Sequence, residues 1–343
     1  MPFNLLIKHT SYWGNTFVFS YKKKKYFGKK LAKNYYKKEV NGYLTLKKYY
    51  PVPKLIYKDS VDNILIFEYV SNVDKGGLLV DLFANKNYID KGFLSIINLY
   101  KKVFIKTLKR NTGLSSNVFF KDRIESRLNK FYGKKFFELF KGKKVMLNGK
   151  EIILNPKKII EDVRIFFIKK PKSKWCVISQ CDPNDLNIAS GPVIFDYLAG
   201  GYNPLMAEYA TLFWYNLCQG NYLSLKYNKE SFTGHEKIFK RKDRVIVKKN
   251  EIHHYIADIR MEFLKKYTED VIDPCFDKIL QYPEWYDDFK NHMAMKILAV
   301  FNVAKMEYKD TLLSLAYLEY FYNYINPSNP GDLISQTLKL CKR

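Results

Sequence analysis

The sequence predicts an α+β protein of two lobes, a small antiparallel sheet carrying one helix followed by a larger, mainly helical part. Three observations predict it. The first seventy residues alternate aromatic and β-branched positions with a single helical interruption. Beyond about residue 90 the spacing of apolar residues turns helical. A length of 343 residues, 47% of them hydrophobic, exceeds one average domain and supplies a large core. The expected division is 1–70 and 71–343.

The elements follow in order. Leu5 to about Ala32 reads as a strand, a tight turn at Gly14-Asn15 and a hairpin, with Lys22 to Lys25 between the apolar runs FVFSY and YFGKKLA. Tyr35 to Tyr49 has helical spacing, with Val40, Tyr43 and Leu44 on one face, and Pro51-Val52-Pro53 ends it. Strands are expected at Lys54 to Lys58 and Asn63 to Tyr69, before the loop Asp74-Lys75-Gly76-Gly77. Phe93 to Arg110 and Asp122 to Phe140 read as helices. Asn148-Gly149, inside Lys144 to Leu154, is a hairpin signal. Further helices are expected at about 205 to 219, 251 to 268, 284 to 305 and 308 to 325.

Composition narrows the function classes. The formal charge of +25, from 59 Lys and Arg against 34 Asp and Glu, fits either a polyanion-binding surface or simple lysine richness. The five cysteines, Cys176, Cys181, Cys218, Cys275 and Cys341, are odd in number and scattered, which argues against a disulfide framework or a CxxC metal site and for a reducing cytoplasm. The N-terminus lacks the pattern of a signal peptide. The apolar stretch Met293 to Val303 is interrupted by Lys296 and is too short to span a bilayer, so no membrane partner is expected.

The informative segment is Val177 to Ala210. One apolar run ends at Asp182, Asn187 follows five residues later, and a second apolar run ends at Asp196. Phosphoryl transfer from ATP needs a carboxylate beside the acceptor hydroxyl and oxygen ligands that hold Mg²⁺ on the phosphates. Asp182 suits the first task, as base or orienting carboxylate; Asn187 and Asp196 suit the second, as metal ligands. The same residues also describe a polar turn, Asp182-Pro183-Asn184-Asp185, and a strand-end cap at Asp196.

At these residues the chain resembles the aminoglycoside phosphotransferase and choline kinase family, relatives of the protein kinases. The family's catalytic loop reads His-Gly-Asp, four residues, then Asn; Gln180-Cys181-Asp182 to Asn187 keeps the Asp and Asn at that separation. The segment Asp196-Tyr197-Leu198-Ala199-Gly200-Gly201, leading through Asn203-Pro204 to Glu208-Tyr209-Ala210, resembles the family's metal-binding stretch. Two departures stand out: Gln180-Cys181 replaces His-Gly, and Glu208 replaces an Asp. Cys181 is expected to be a small buried residue, since no His lies nearby in sequence.

The resemblance implies a bilobal protein-kinase-like fold, ATP and Mg²⁺ as cofactors, and transfer of the γ-phosphate to a hydroxyl of a small molecule such as an aminoglycoside, sugar, nucleoside or amino alcohol. It also implies that a strand Lys holds the α- and β-phosphates, pinned by a helix Glu. Glu39 is that Glu, and the Lys is Lys30 or Lys29, with Lys30 favoured because Gly28 then occupies the small position beneath adenine. The phosphate-covering turn falls at Ser11 to Thr16, with Gly14 and Asn15 permitting tight backbone. Ile64 to Tyr69 resembles the hinge, where backbone at Phe67, Glu68 and Tyr69 meets adenine. These motifs occur in the family's order across about residues 8 to 215.

Alternatives remain at this level. An RNA or protein kinase would dock its partner on Lys22 to Lys25 and Lys237 to Lys249, with nucleic acid the second choice of partner after a small molecule. A third reading is an inactive nucleotide-binding pseudokinase. Glu284, Asp287 and Asp288 form an acidic cluster suited either to a cationic acceptor or to an exposed helix start. His253-His254, placed on a helix, would point in different directions and not chelate. The acceptor, the choice of ATP over GTP, and the oligomeric state are not encoded in any of these motifs.

Overall fold

The computed structural model describes residues 6–11, 14–85, 89–169, 172–279 and 281–341, with the side chains of 6–11 and 89–91 outside the description. Tyr12 and Trp13, at the tip of the expected phosphate-covering turn, therefore lie outside the described residues.

Strands β1 (Leu6–Ser11), β2 (Gly14–Tyr21) and β3 (Lys24–Leu31), helix α1 (Lys33–Leu46), and strands β4 (Leu55–Asp59) and β5 (Ile64–Glu68) build the first unit. The sheet is antiparallel throughout, in the order β1-β2-β3-β5-β4. The β2–β3 turn is made by Lys22 and Lys23, both with positive φ (47° and 62°), the geometry that matches strand twist in a two-residue hairpin. Helix α1 buries Tyr36, Glu39, Gly42, Tyr43 and Leu46. Gly42 is required: a Cβ there would lie 1.8 Å from the carbonyl oxygen of Tyr197. Its absence lets the helix rest on the segment that carries Asp196.

The larger part opens with α2 (Leu79–Ala84), α3 (Ile89–Thr107) and β6 (Lys109–Asn111). The stretch expected as one helix over Asp122 to Phe140 is instead broken: a wide turn at Ile124–Leu128 and a short helix to Phe131 stop before Gly133, and Lys134–Phe140 begins a new one. Strands β7 (Lys144–Leu147) and β8 (Lys150–Ile153) form the expected hairpin through Asn148-Gly149, at φ 47° and 86°. Helix α4 (Pro156–Ile168) leads to β9 (Lys174–Ser179), and then come the short pair β10 (Ile188–Ala189) and β11 (Val193–Ile194), β12 (Gly201–Pro204) and α5 (Leu205–Trp214).

The expected helix over 251–268 is corrected at its start. Residues 251–255 are strand β14 (Glu251–Tyr255), paired with β13 (Arg244–Lys248), and only α6 (Asp258–Tyr267) is helical. The β-branched and aromatic alternation Ile252, His254 inward fits a strand, and His254 is buried between Tyr317 and Asp243. Together β13-β14-β7-β8 make a four-stranded sheet, and β12-β9-β6 a three-stranded one. Helices α7 (Trp285–Val300), α8 (Tyr308–Glu319) and α9 (Pro330–Cys341) complete the helical part. One continuous core runs from Tyr36 and Phe67 to Leu333. Tyr43, Phe67 and Tyr197 bridge the sheet unit to the rest, with ring centroids 5.3–5.6 Å apart.

Candidate active site

A cleft of about 1100 Å³ is lined by Gly14, Asn15 and Lys29 from the sheet unit and by Asp182, Asn187 and Asp196 from the helical part. Asp182 follows the end of β9, and Asp196 follows β11, so two strand ends carry the two carboxylates to one place. The bond from Phe195 N–H to the Asn187 carbonyl (2.8 Å) ties the two segments together.

The loop between them is held by its own polar groups. Asn184 and Asn187 N–H donate to the carbonyls of Asp182 (2.7 Å) and Asn184 (3.0 Å), and Asn184 Nδ2 donates to Asp182 Oδ2 (3.1 Å). The polar-turn description is thus also true of this segment. Asn187 Nδ2 donates to the Asp182 carbonyl (3.1 Å), which leaves Oδ1 as the acceptor atom of that amide. Asp196 has a left-handed backbone (φ 64°) and a side chain about one-third exposed to the cleft. Cys181 is buried and also left-handed (φ 58°) at the position where the resembled motif has Gly. Burial pushes its thiol well above the ordinary range, which disfavours the thiolate that a nucleophile needs.

Lys29 is the lysine at the centre of the site. Its Nζ donates to Glu39 Oε1 (2.6 Å) and Asp196 Oδ1 (3.1 Å), joining α1 to the segment that follows β11. Burial works against its charge, but Asp196 and Glu39 more than offset this and hold its pKa above the usual lysine value. The preference for Lys30 is corrected: Lys30 is exposed, and its neighbour Lys29 is buried on the cleft face. Side chains alternate along β3, so only one of the two faces the cleft. Gly28 does not mark the cleft face: its missing Cβ faces the opposite side of the sheet, against the Phe17 ring, while Phe27 lines the cleft.

The three expected hinge residues, Phe67, Glu68 and Tyr69, all line the cleft. Phe67 is otherwise buried, and Glu68 N–H already donates to the Lys54 carbonyl (2.9 Å), so that amide is committed to the sheet. Tyr69 lines the cleft with Val70 beyond it, its hydroxyl donating to Asp74. Gly14 sits against β3 so closely that a Cβ would meet the Lys30 carbonyl oxygen at 2.1 Å.

Several site residues gave no motif. Lys296, on α7, is buried and donates to Asp182 Oδ1 (3.2 Å). It is the same lysine that interrupts the apolar stretch Met293 to Val303, and a charge in an otherwise buried helix face was the available signal. Arg123 and Arg127 line the cleft from the segment after β6. Beneath the loop, Asp185 pairs with Arg260 through both carboxylate oxygens, both residues fully buried, with the guanidinium 3.9 Å from the Phe83 ring centroid. Burial pushes the Glu208 carboxyl up to about 8, against the pull of the Ser179 hydroxyl and the Cys181 amide.

The acidic cluster lies elsewhere. Asp288 is buried against Lys174 and Tyr282, Glu284 faces Arg110, and Asp287 pairs with Lys290; none of the three lines the cleft. Among the described residues no group of three His, Cys, Asp or Glu side chains is placed to hold a metal ion, and no helix is long and apolar enough to cross a membrane.

No protein-family model matches the sequence, and no curated protein matches it. Solved structures do. A thermostable mutant of aminoglycoside phosphotransferase APH(4)-Ia, in its apo form, superposes with a TM-score of 0.51 at 8% identity, over 97% of this chain and 94% of that one. The chain has the aminoglycoside phosphotransferase fold. Spectinomycin phosphotransferase APH(9)-Ia in complex with ADP and spectinomycin is more distant, at TM-score 0.44 and 10% identity over 98% and 93% of the two chains. An ethanolamine kinase of Plasmodium vivax matches at 0.42 and 12%, over 93% and 81%. Within the aminoglycoside phosphotransferase fold, the five-stranded sheet with α1 is the smaller lobe, and the helical part is the larger.

Proposed function

We propose that the protein is an ATP-dependent phosphotransferase acting on an alcohol group of a small molecule. The observation that carries this reading is Lys29, held at once by Glu39 of the small lobe and Asp196 of the large one. A buried lysine with two carboxylates on it is stable without a ligand, yet it sits at the rim where both lobes meet the cleft. That is the position from which an ammonium reaches nucleotide phosphates.

The division of labour follows from the geometry. Residues 1–70 form the nucleotide-binding lobe, with Gly14 and Asn15 offering close backbone and Lys29 the charge. Residues 71–343 supply the catalytic loop and the acceptor site. Asp196 offers a cleft-facing carboxylate and Asn187 an amide oxygen, the hard donors that suit Mg²⁺. That ion, when bound, neutralises charge on the phosphates. Asp182 takes the proton of the acceptor hydroxyl as its oxygen bonds to the γ-phosphorus and the bond to the β–γ bridging oxygen breaks, releasing ADP. Lys296, donating to Asp182 Oδ1, fixes the direction of that carboxylate.

The test is incubation of purified protein with Mg²⁺, ATP and a panel of hydroxyl compounds, followed by mass spectrometry for the addition of one phosphate. Turnover lost in Asp182→Ala supports the proposal. RNA binding with a steep salt slope and no phosphorylated product in any panel would replace it with a basic binding protein.

A further inference from the structure

We propose that Arg123, Arg127 and Lys296 form a receptor for an anionic group on the acceptor, so that the alcohol phosphorylated here carries a phosphate or carboxylate of its own. The inference rests on the phosphotransferase reading and adds the class of acceptor to it.

The three cations converge from two elements. Arg123 and Arg127 stand one turn apart around Ile124–Leu128, and Lys296 stands one turn before Val300 on α7. Arg127 Nη1 donates to the Ala299 (2.6 Å) and Val300 (3.1 Å) carbonyls, which docks one element on the other. Arg123 and Lys296 lie over the same Phe119 ring, at 5.1 and 5.7 Å from its centroid. All of them line the cleft beside Asp182.

Asp182 is the carboxylate that acts on both Arg123 and Lys296, and it already receives Lys296 and Asn184. Arg123 is only 6% exposed, yet its Nε and Nη1 have no hydrogen-bond partner. Burial pulls its pKa down to about 9, and the neighbouring Arg127 pulls the same way. A buried guanidinium with empty donors is costly and marks a place where a ligand completes the bonding. Its planar fork fits the oxygens of a phosphate or carboxylate.

In the proposed function the nucleotide's phosphates are held by Lys29 and Asp196, which pair with each other across the cleft, and displacement of inorganic phosphate by AMP-PNP is the outcome that would give the Arg123 fork to the γ-phosphate instead. A cationic acceptor does not complete that bonding: the acidic cluster at Glu284, Asp287 and Asp288 is paired and does not line the cleft, and the charged group bonded to Asp182 is positive.

The experiment is calorimetric titration of inorganic phosphate into the full chain, with and without Mg²⁺ and AMP-PNP, alongside turnover of matched acceptors: glycerol against glycerol 3-phosphate, and glucosamine against glucose 6-phosphate. We expect phosphate to bind with the nucleotide analogue present, and Arg123→Gln to weaken it about tenfold or more while AMP-PNP affinity changes less than about twofold. Should Arg123→Gln not fold, Arg123→Lys keeps the charge, loses the fork and shows an intermediate loss. Glycerol 3-phosphate or glucose 6-phosphate should exceed its partner in kcat/KM by about tenfold. Failure of phosphate to bind, its displacement by AMP-PNP, or preference for glycerol or glucosamine overturns the inference. Phosphate held by Arg123 without turnover of any acceptor keeps the anion receptor and sinks the phosphotransferase reading instead.

Discussion

Lys29 Nζ lies 2.6 Å from Glu39 Oε1, while Lys30, the next residue, is exposed on the other face of the same strand. The pair places a protonated ammonium at the lobe boundary and fixes the register of β3 against α1. Lys29→Met should therefore lower Mg-AMP-PNP affinity by about ten- to hundredfold, the worth of one charge-assisted bond. Lys30→Met should leave it within about twofold. Fluorescence titration of the two variants decides the matter, and equal losses would mean that the strand is read in the wrong phase.

The proposed function gives Asp182 a role in chemistry and Asp196 a role in binding. Asp182→Asn should reduce turnover about 10²- to 10⁴-fold with nucleotide affinity preserved. Asp196→Ala should instead abolish the magnesium dependence of nucleotide binding in a folded protein. Titration of AMP-PNP with and without Mg²⁺, run on both variants, distinguishes the roles; an Asp196→Ala protein whose affinity still responds to Mg²⁺ removes Asp196 from the ligand set.

The spacing of Asp182, Asn187 and Asp196, together with the resemblance it carries, anticipated that the three line one cleft, because a loop of set length between two strand ends leaves little freedom. The helix, hinge strand and hairpins were legible for the same local reasons. Lys29 against Lys30 was not, since a period-two pattern among so many lysines has no marker of phase, and Gly28 pointed the wrong way. Arg123, Arg260 and Lys296 lie 59, 78 and 114 residues from Asp182, and only packing brings them to the loop. The break near Gly133 and the strand at 251–255 show tertiary pairing overriding helical spacing.

The buried Asp185–Arg260 pair holds the Asp182–Asn187 loop to α6. Arg260→Met leaves a carboxylate with no counterion in the core and should cost about 3–5 kcal/mol in urea denaturation. The double variant Arg260→Met with Asp185→Leu should lose less than the single one. A double variant less stable than Arg260→Met shows that bulk, not charge, dominates there.

Glu208 gives the stability a pH signature. Its folded pKa, raised by burial to about 8 from an ordinary 4.5, means the folded state holds the proton more tightly. The contribution is full below about pH 4.5 and is lost as pH rises through about 8, with a slope of at most about 1.4 kcal/mol per unit. Glu208→Gln should flatten the decline between pH 5 and pH 8 in the urea midpoint (about three units, read against the same linkage relation). Parallel curves for both proteins would show that the carboxyl is ionised when folded.

Cys181 occupies a left-handed position that costs a non-glycine residue about 1–2 kcal/mol. Its buried side chain returns a similar amount, so Cys181→Gly should stay within about 1 kcal/mol of the parent. Cys181→Val, branched at the same φ, should be destabilised well beyond that in the same denaturation assay. Equal tolerance of both would show that the backbone relaxes.

The sealed contact between Arg260 and Asp185 has a consequence for how the molecule responds to brine. With a surplus of 25 positive charges, its lysine-rich exterior repels itself, and dissolved ions quiet that repulsion over about 8–10 Å. The guanidinium–carboxylate clasp is sealed away from the surface those ions reach. Ionic strength thus acts on the exterior, while the clasp that shapes the Asp182–Asn187 loop is left unscreened.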